Sequence, residues 1–206
     1  MTERAAEAFL NMVAGRQGHF QLESGHHGEL WLDLDALLTQ PRRIAPWVAE
    51  LTDAIRPHDV EGVCGPLIGG AFLAQASAAL LDVEFAFTER VMPAVAGGLY
   101  PARYRLPPAF APRVRGRRIA IVDDVMSAGS AARGTYEELR AHEAVPTVVG
   151  ALLVLGSTGA DFFAQHSVAV EAVARRPYQL WLPTACPLCD SGVPLEAVSQ
   201  TAADVR

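Results

Sequence analysis

The stretch Ile119–Ala131, which reads IAIVDDVMSAGSA, decides the fold of this chain. It begins with apolar and β-branched residues, the pattern of a buried strand. Two adjacent carboxylates, Asp123 and Asp124, stand at the end of that strand, and a loop of small residues leads into a helical pattern over Arg133–His142. A strand, an acidic pair, a small-residue loop and a helix predict a parallel α/β protein that binds a ligand at the carboxyl ends of its strands.

The small-residue loop is suited to a phosphate group. Small side chains let backbone N–H groups approach a phosphate, and the following helix offers unpaired N–H donors at the positive end of its dipole. Ser127 and Ser130 add hydroxyl donors, while the acidic pair can accept hydrogen bonds from sugar hydroxyls and orient a divalent cation. A solvated acidic turn before a capped helix would explain the two aspartates alone. The whole string favours a site for a phosphorylated sugar.

The string V-D-D-V-M-S-A-G-S-A resembles the phosphoribosyl pyrophosphate (PRPP) signature of type I phosphoribosyltransferases, whose usual form is V-D-D-V-I-T-A-G-T-A. Methionine here replaces an aliphatic residue and two serines replace threonines, so each difference keeps the chemistry. The resemblance implies that Asp123 and Asp124 are catalytic and hold the ribose hydroxyls of PRPP. It also implies that a loop binds PRPP through Val125, Met126, Ser127, Ala128, Gly129 and Ser130.

The same resemblance implies the architecture and the partners. We expect an α/β fold with a central, mostly parallel sheet flanked by helices, and a small hood from the two terminal segments. One domain would span residues 1–206, with its core at about 58–156 and its hood at about 1–57 and 157–206. The resemblance further implies Mg²⁺ as the cation bound with PRPP, a nucleobase as the second substrate, and a homodimer.

Composition excludes several classes of protein. The chain has 206 residues, enough for one domain with a real core, and half of them are hydrophobic. A net charge of −6 argues against a general nucleic-acid binder. All 17 basic residues are arginine, so a catalytic lysine is impossible. We see no signal peptide, no membrane-spanning run and no disulfide framework among the three cysteines, which fits a cytoplasmic protein.

A glycine-rich turn precedes the acidic motif by one strand–helix unit. Val60–Cys64 reads as a short buried strand and Ala71–Leu81 as an apolar helix, with Gly65–Gly70 between them. Glycines at such a turn let the backbone approach an anion, although tight packing of a crossover turn would also explain them. In the resembling family this turn is the pyrophosphate loop, G-P-x-x-x-G, which often holds a strained or cis peptide. Its PRPP-binding residues here would be Gly65, Pro66 and Gly70.

The amino-terminal segment predicts part of the hood. A helix reaches from a cap at Thr2 to Gly15, and His19–Leu22 and Leu30–Leu34 read as two short strands. The segment G-H-F-Q-L-E-S-G-H resembles the hood of orotate phosphoribosyltransferases, where F-x-L-x-S-G-K occurs. His26 stands where that family has its lysine, so the resemblance implies that His26 binds PRPP. A simple β-hairpin is the alternative.

The segment Arg90–Arg117 is rich in Pro, Gly and Arg and predicts a long functional loop. In type I phosphoribosyltransferases a loop at this place closes over PRPP and shields the reaction from water. The orotate enzymes carry R-K-x-x-K there, and this chain has Glu89 and Arg90 where R-K would fall. We expect Arg90 to bind PRPP and Arg103 or Arg105 to neutralise the leaving pyrophosphate, with solvated loop arginines as the alternative.

The residues expected to bind the acceptor base depart from the orotate pattern. After a predicted strand at Thr147–Leu155, the chain has Gly156-Ser157 where the orotate family tends to place a D-R pair whose arginine holds the orotate carboxylate. The base would lie near Leu30–Leu34 and Gly156–Gly159. Farther on, His166–Val173 and Tyr178–Leu182 read as strands.

A single C-x-x-C pair, Cys186 and Cys189, follows. One such pair is a weak metal signal because structural zinc takes four ligands, so the pair is at most half of a zinc site. The remaining ligands would have to be a histidine or the same pair of a second subunit. A plain turn is the alternative, and redox chemistry would need a thioredoxin-like setting that the sequence lacks.

The leading interpretation is an enzyme that transfers the 5-phosphoribosyl group from PRPP to a nucleobase, with an orotate-like pyrimidine as the first candidate, and releases pyrophosphate. A phosphoribosyltransferase for another base remains open. So does a PRPP-binding regulator that has lost catalysis, although the acidic charge and the lack of a basic helix-turn-helix segment argue against it. A dinucleotide-binding protein is disfavoured because no G-x-G-x-x-G follows a strand.

Overall fold

The structure is a computed structural model that describes residues 3–93 and 98–197. The predicted cap at Thr2 lies outside the described residues. The strands are β1 Ala14–Gln21, β2 His27–Asp33, β3 Gly62–Pro66, β4 Glu84–Val91, β5 Arg103–Arg105, β6 Arg118–Met126, β7 Val145–Leu155, β8 Ala169–Arg176 and β9 Glu196–Ala197. The α-helices are α1 Glu3–Leu10, α2 Asp35–Leu38, α3 Pro41–Ile55, α4 Gly69–Leu81, α5 Ala111–Val114, α6 Ser130–Ala141, α7 Thr158–Gln165 and α8 Pro187–Asp190.

A six-stranded sheet forms the centre of the fold, in the order β5-β4-β3-β6-β7-β8. Its strands are parallel except for β5, which pairs antiparallel with β4. The predicted central, mostly parallel sheet flanked by helices is confirmed. The strand that carries the acidic pair, β6, lies between β3 and β7 and therefore near the middle of the sheet.

Strand β6 is buried on both faces, which is why it reads as a continuous apolar run. Ala120 and Val122 belong to a core shared with α1, α3 and α4, whereas Ile119 and Ile121 belong to a second core shared with α6 and α7. Successive residues of a strand point to opposite faces, so the alternation follows from strand geometry. Helix α3 begins with proline at its first position, which favours a helix start, and it buries an apolar stripe in the first core.

A second, three-stranded sheet forms from the two ends of the chain, in the order β2-β1-β9. Strands β1 and β2 make an antiparallel hairpin in which Ala14 pairs with Asp33 and Gln21 with His27. Strand β9 lies parallel to β1, and Trp181 bridges to His27. Both predicted strands of this hairpin form, but β1 begins five residues before His19 and β2 three residues before Leu30. The turn at residues 22–26 is directed to the site described below.

Several predicted elements have different bounds or do not form. The first helix ends at Leu10 rather than at Gly15, because β1 already begins at Ala14 and pairs with β2. The predicted strand at Tyr178–Leu182 is wrong, since only the bridge of Trp181 pairs there. The predicted strand at His166–Val173 begins three residues late, at Ala169, after a turn with positive φ at Ser167. The long segment Arg90–Arg117 contains β5 and α5.

Candidate active site

The acidic pair lies near the carboxyl end of β6, two residues before the strand ends at Met126. Asp123 is buried and Asp124 is half-buried. The backbone N–H of Asp124 donates to Asp123 Oδ1 at 3.0 Å, and the N–H of Val125 donates to Asp124 Oδ1 at 2.7 Å. Burial raises the pKa of both carboxyl groups, and the neighbouring Asp124 carboxylate raises that of Asp123 further. Burial therefore disfavours the charged form of both groups, and a cation or hydroxyl donors bound at this place would favour it.

The glycine-rich turn packs directly against this pair. A Cβ atom on Gly69 would collide with Asp124 Oδ2, and one on Gly70 would lie 2.8 Å from the carbonyl oxygen of Val122 and 3.0 Å from Asp123 Oδ1. Residues with side chains would force the turn away from β6, so the glycines are required by close approach of the backbone. The peptide bond between Leu67 and Ile68 is cis. Gly65, Pro66 and Gly70 belong to this turn, and their expected contact with pyrophosphate stays a prediction.

The small-residue loop lies between β6 and α6. Gly129 has a φ of +77°, a conformation that favours glycine, and the first residue of α6 is Ser130. The first-turn amides of a helix have no acceptor within the helix, so those of α6 remain available to an anion. The N–H of Gly159 at the start of α7 donates to the carbonyl oxygen of Ser127 at 3.0 Å, which holds the loop against the end of the neighbouring strand β7.

A hydrogen bond and an ion pair join three side chains beside the acidic pair. The hydroxyl of Tyr104 on β5 donates to Glu23 Oε1 at 2.9 Å, and Arg90 Nε on β4 lies 3.1 Å from Glu23 Oε2. Burial, followed by the charges of Glu23 and Asp123, raises the pKa of Tyr104 well above its ordinary value. Arg90 therefore lies near the acidic pair, and its guanidinium pairs with a carboxylate of the hairpin turn. Its expected contact with PRPP stays a prediction.

A second group contains one cation between aromatic rings. The Cζ atom of Arg133 on α6 lies 4.4 Å from the ring centroid of Tyr100 and 4.3 Å from that of Phe162 on α7. Its Nη2 donates to the carbonyl oxygen of Thr158 at 2.8 Å, and its buried Nε has no hydrogen-bond partner among the described residues. The His26 ring lies 5.7 Å from that of Tyr100, and burial and then Arg133 lower the pKa of His26.

The structure does not bring Arg103 and Arg105 to the acidic pair. Both flank Tyr104 on β5, and because side chains alternate along a strand, they point away from the face on which Tyr104 is buried. Arg103 lies 4.0 Å from Glu137 on the exposed side of α6. The expectation that either arginine meets the leaving pyrophosphate stays a prediction.

Sequence reasoning missed the contacts of Glu23, Tyr100, Tyr104 and Arg133. Glu23 stands inside the hood segment that resembles the orotate enzymes, and Arg133 follows the small-residue loop by three positions. Glu23 and Arg133 lie in or near recognised motifs, but nothing in the spacing of the sequence indicates that Glu23 contacts Tyr104, 81 residues away. Tyr100 is placed by the turn itself, because its N–H donates to the carbonyl oxygen of Ser24 at 2.9 Å.

The C-x-x-C pair lies on the other side of the hairpin, at the start of α8. Its two sulfur atoms meet His19 of β1 and His27 of β2, and one side-chain atom from each of the four residues lies within 4.8 Å of the others. The predicted half-site therefore finds its further candidate ligands within one chain, and no second subunit is needed to complete a set of four.

The chain is similar to known proteins in sequence and in fold. An orotate phosphoribosyltransferase of Carboxydothermus hydrogenoformans is 30% identical over 190 residues, which cover 91% of this chain and 92% of that protein. The crystal structure of orotate phosphoribosyltransferase from Aeropyrum pernix matches with a TM-score of 0.62 and 21% identity, over 85% of this chain and 93% of the other. Adenine phosphoribosyltransferase from Thermoanaerobacter pseudethanolicus matches with a TM-score of 0.60 and 14% identity, over 83% and 99%. No family model matches.

The fold and these likenesses define a type I phosphoribosyltransferase, an enzyme of the pentosyltransferase class. Sequence identity over nine-tenths of both chains then specifies the family: the chain belongs to the orotate phosphoribosyltransferases. Among the described residues, no helix combines the length and the apolar character needed to cross a membrane.

Proposed function

We propose that this chain transfers the 5-phosphoribosyl group from PRPP to an orotate-like pyrimidine and releases pyrophosphate. The observation that supports PRPP as the donor is the contact of the glycine-rich turn with the acidic pair. Backbone of residues 69 and 70 touches Asp124 and Asp123, so a pyrophosphate on the turn and a ribose on the carboxylates would be neighbours. Catalysis would then rest on positioning and on electrostatic stabilisation of the departing charge.

Mg²⁺ fits the donor site. Asp123 and Asp124 offer two adjacent carboxyl groups with hard oxygen atoms, and a bound cation would favour their ionised forms, which burial disfavours. These two carboxylates would hold the cation, directly or through the ribose hydroxyls. When bound, Mg²⁺ supplies positive charge that neutralises pyrophosphate as it leaves.

The chain's own residues would hold the rest of PRPP. The amides and hydroxyls of Ser127–Ser130 would bind the 5-phosphate at the positive end of α6. The turn around Gly65–Gly70 would bind pyrophosphate. The bond between C1 of the ribose and a pyrophosphate oxygen breaks, and a ring nitrogen of the base forms the new bond to C1. The hairpin turn and the Tyr100 segment, joined by the Ser24–Tyr100 hydrogen bond, would exclude water.

Arg133 supports an acidic acceptor. The sequence lacks the D-R pair of the orotate pattern, but Arg133 places a guanidinium at the carboxyl ends of β6 and β7, fixed by two rings and by Thr158. An arginine that is held rigid and has an unpaired donor is well suited to a carboxylate. We therefore propose that Arg133 recognises the carboxylate of the pyrimidine, a role that Gly156 and Ser157 cannot fill.

Incubation with labelled PRPP, Mg²⁺ and a panel of orotate, uracil, adenine and hypoxanthine tests the reaction. We expect nucleotide and pyrophosphate with orotate and little product with uracil, which lacks the carboxylate. Turnover of adenine instead would identify a phosphoribosyltransferase for another base. PRPP binding without turnover of any base would indicate the regulator, and absence of PRPP binding would overturn the donor site.

The variant Arg133→Gln tests the acceptor assignment. We expect the KM for orotate to rise at least about tenfold with little change in the KM for PRPP, because one charge-assisted contact to the base is lost. Arg140→Gln is the matched control, since Arg140 lies exposed near the end of the same helix. A rise confined to the KM for PRPP would show that Arg133 binds a phosphate group and not the base.

The remaining partners follow the family resemblance. We propose a homodimer in the cytoplasm, with PRPP and the base as the small-molecule partners. Apolar side chains beside the pyrophosphate turn support a protein contact there, because Ile68 is 60% and Phe72 is 55% exposed.

A further inference from the structure

Four side chains that can bind a metal converge where the carboxyl-terminal segment meets the hairpin. His19 comes from β1, His27 from β2, Cys186 from the position just before α8 and Cys189 from within α8. His19, His27 and Cys186 are buried, and only Cys189 reaches the surface. None of the four belongs to the candidate active site.

The distances between the four atoms fit a tetrahedral zinc ion. Zn–N bonds of about 2.05 Å and Zn–S bonds of about 2.3 Å at tetrahedral angles place two nitrogens about 3.3 Å apart and a nitrogen about 3.6 Å from a sulfur. His19 Nε2 lies 3.0 Å from His27 Nδ1 and 3.4 Å from Cys186 Sγ. Cys189 Sγ lies 3.8 Å from His19 Nε2 and 3.4 Å from His27 Nδ1.

A backbone contact fixes how His19 presents its ring. His19 Nδ1 lies 2.9 Å from the carbonyl oxygen of Val193, which can only accept, so Nδ1 carries the proton and Nε2 carries a lone pair. That lone pair faces the imidazole of His27 and both sulfur atoms. A single hydrogen bond from His27 would use the lone pair of His19 Nε2. It would not explain why both cysteine sulfur atoms also lie close to the same nitrogen. Histidines that bind metals commonly donate their second nitrogen to such a carbonyl.

We propose that His19, His27, Cys186 and Cys189 form a zinc site that fastens the carboxyl-terminal segment to the hairpin. Four protein ligands close the coordination sphere, and closed sites of this kind are structural, because a catalytic zinc keeps a position open for water or substrate. Zinc also selects this donor set, since thiolate with imidazole suits it better than it suits Mg²⁺.

The site would brace the part of the hairpin that reaches the active site. His27 is the first residue of β2 and follows His26 directly, while Glu23 lies four residues after His19 in the same hairpin. The hydrogen-bonded bridge between His27 and Trp181 ties the same point to the segment that precedes the cysteines. Zinc would thus fix the turn at residues 22–26 from the side of the hairpin that faces away from the active site, without contacting substrate.

Metal analysis of the whole chain tests the proposal directly. Protein produced with zinc in the medium and purified under reducing conditions without chelator should contain about one zinc per chain. Cys186→Ser and His19→Gln should each lose most of it. Cys64→Ala and His166→Gln are matched controls, since Cys64 is buried in β3 and His166 caps α7, and both should keep the metal.

Two measurements on the unaltered chain keep the test sharp if a variant fails to fold. Replacement of zinc by Co²⁺ should give the intense visible bands of tetrahedral cobalt and a thiolate-to-cobalt charge-transfer band. Alkylation followed by peptide mass analysis should show Cys186 and Cys189 protected until a chelator is added.

A chain that holds no zinc after reconstitution, a cobalt spectrum without the thiolate band, or a disulfide between the two cysteines under these conditions would overturn the proposal. So would equal zinc loss in the two control variants. Metal content is measured without PRPP or a base, so this result is independent of whether the proposed transfer reaction occurs.

Discussion

At the scale of single residues, the acidic pair lowers the stability of the ligand-free protein while it provides the carboxyl groups proposed to bind PRPP. Asp123 is buried next to a second carboxylate, and its pKa is raised by burial and by that neighbour. A raised pKa means that the folded protein holds the proton more tightly than the unfolded chain does. Ionisation of Asp123 therefore disfavours folding of the ligand-free protein.

We predict that Asp123→Asn stabilises the ligand-free protein at neutral pH while it removes activity. The gain in unfolding free energy should be about 0.5 to 2 kcal/mol, the range of substitutions that relieve strain at functional sites. Well below pH 3.8, the ordinary pKa of an aspartate carboxyl, Asp123 is protonated in both the folded and the unfolded wild-type chain, so the gain should vanish. It should grow as pH rises through the raised pKa, because the wild type loses stability there and the variant does not.

Urea denaturation of both proteins between about pH 3 and pH 8, without Mg²⁺ or PRPP, measures this difference. Asp161→Asn is the control, since Asp161 lies exposed in the first turn of α7. A variant that is less stable than the wild type at pH 8 would contradict the electrostatic argument.

The exposed arginines of β5 make a second prediction at this scale. Arg103 and Arg105 point away from the buried face of Tyr104, so Arg103→Ala and Arg105→Ala should lower kcat/KM less than about threefold, as exposed substitutions usually do. Arg90→Ala should cost far more because it leaves the half-buried Glu23 carboxylate without its cation. Steady-state kinetics of the three variants decide; a loss above tenfold for Arg103→Ala would support its predicted role with pyrophosphate.

The sequence predicts some site residues well and others not at all, for a physical reason. Asp123, Asp124 and the loop that follows are consecutive, and a strand followed by a helix places them without help from distant residues. Glu23 and Arg133 acquire their positions from contacts with β5, the Tyr100 segment and α7. Such contacts depend on the tertiary fold, which no local pattern encodes.

At the scale of elements, the turn between β3 and α4 depends on a glycine where a helix would prefer alanine. Gly69 begins α4, and Ala in a helix is favoured over Gly by about 1 kcal/mol. A Cβ atom there would meet the Asp124 carboxylate. We predict that Gly69→Ala leaves the fold intact and lowers kcat/KM about 100-fold, because the turn and the acidic pair must separate.

Kinetics with circular dichroism tests this prediction, and Gly15→Ala is its control. A Cβ atom on Gly15 would lie 3.3 Å from the flexible end of Leu32, far from the site, so activity should be retained. Wild-type activity in Gly69→Ala would mean that the turn does not approach the acidic pair during the reaction.

Elements with a strong periodic pattern of apolar residues were predicted from the sequence. Elements that form only because a neighbouring strand offers a free edge were not. Strands β6 and β7 bury long apolar patterns, and each lies near its expected place. Strand β5 has only three residues and forms because β4 offers a free edge. The segment at Tyr178–Leu182 has strand-like residues, but only Trp181 finds a partner. Whether an edge is available is decided by the assembled sheet.

At the scale of the whole molecule, PRPP binding should couple the two sheets. The acidic pair and both loops belong to the six-stranded sheet, whereas Glu23 and Ser24 belong to the hairpin and contact Tyr104 and Tyr100. A ligand that bound between them would bind the folded chain and not the unfolded one. Such a ligand stabilises by about 2.7 kcal/mol at 100 times its Kd.

We therefore predict that PRPP with Mg²⁺ raises the Tm by about 5 to 10 °C at that concentration, given about 2 to 4 °C per kcal/mol for a chain of this size. Scanning calorimetry measures the shift. Ribose 5-phosphate should give a smaller one, because it lacks the pyrophosphate that the Gly65–Gly70 turn would bind. Asp124→Asn should lose most of the response to PRPP while it unfolds as cooperatively as the wild type. An equal shift in Asp124→Asn would show that PRPP binds away from the acidic pair, and the donor site would have to be sought elsewhere in the fold.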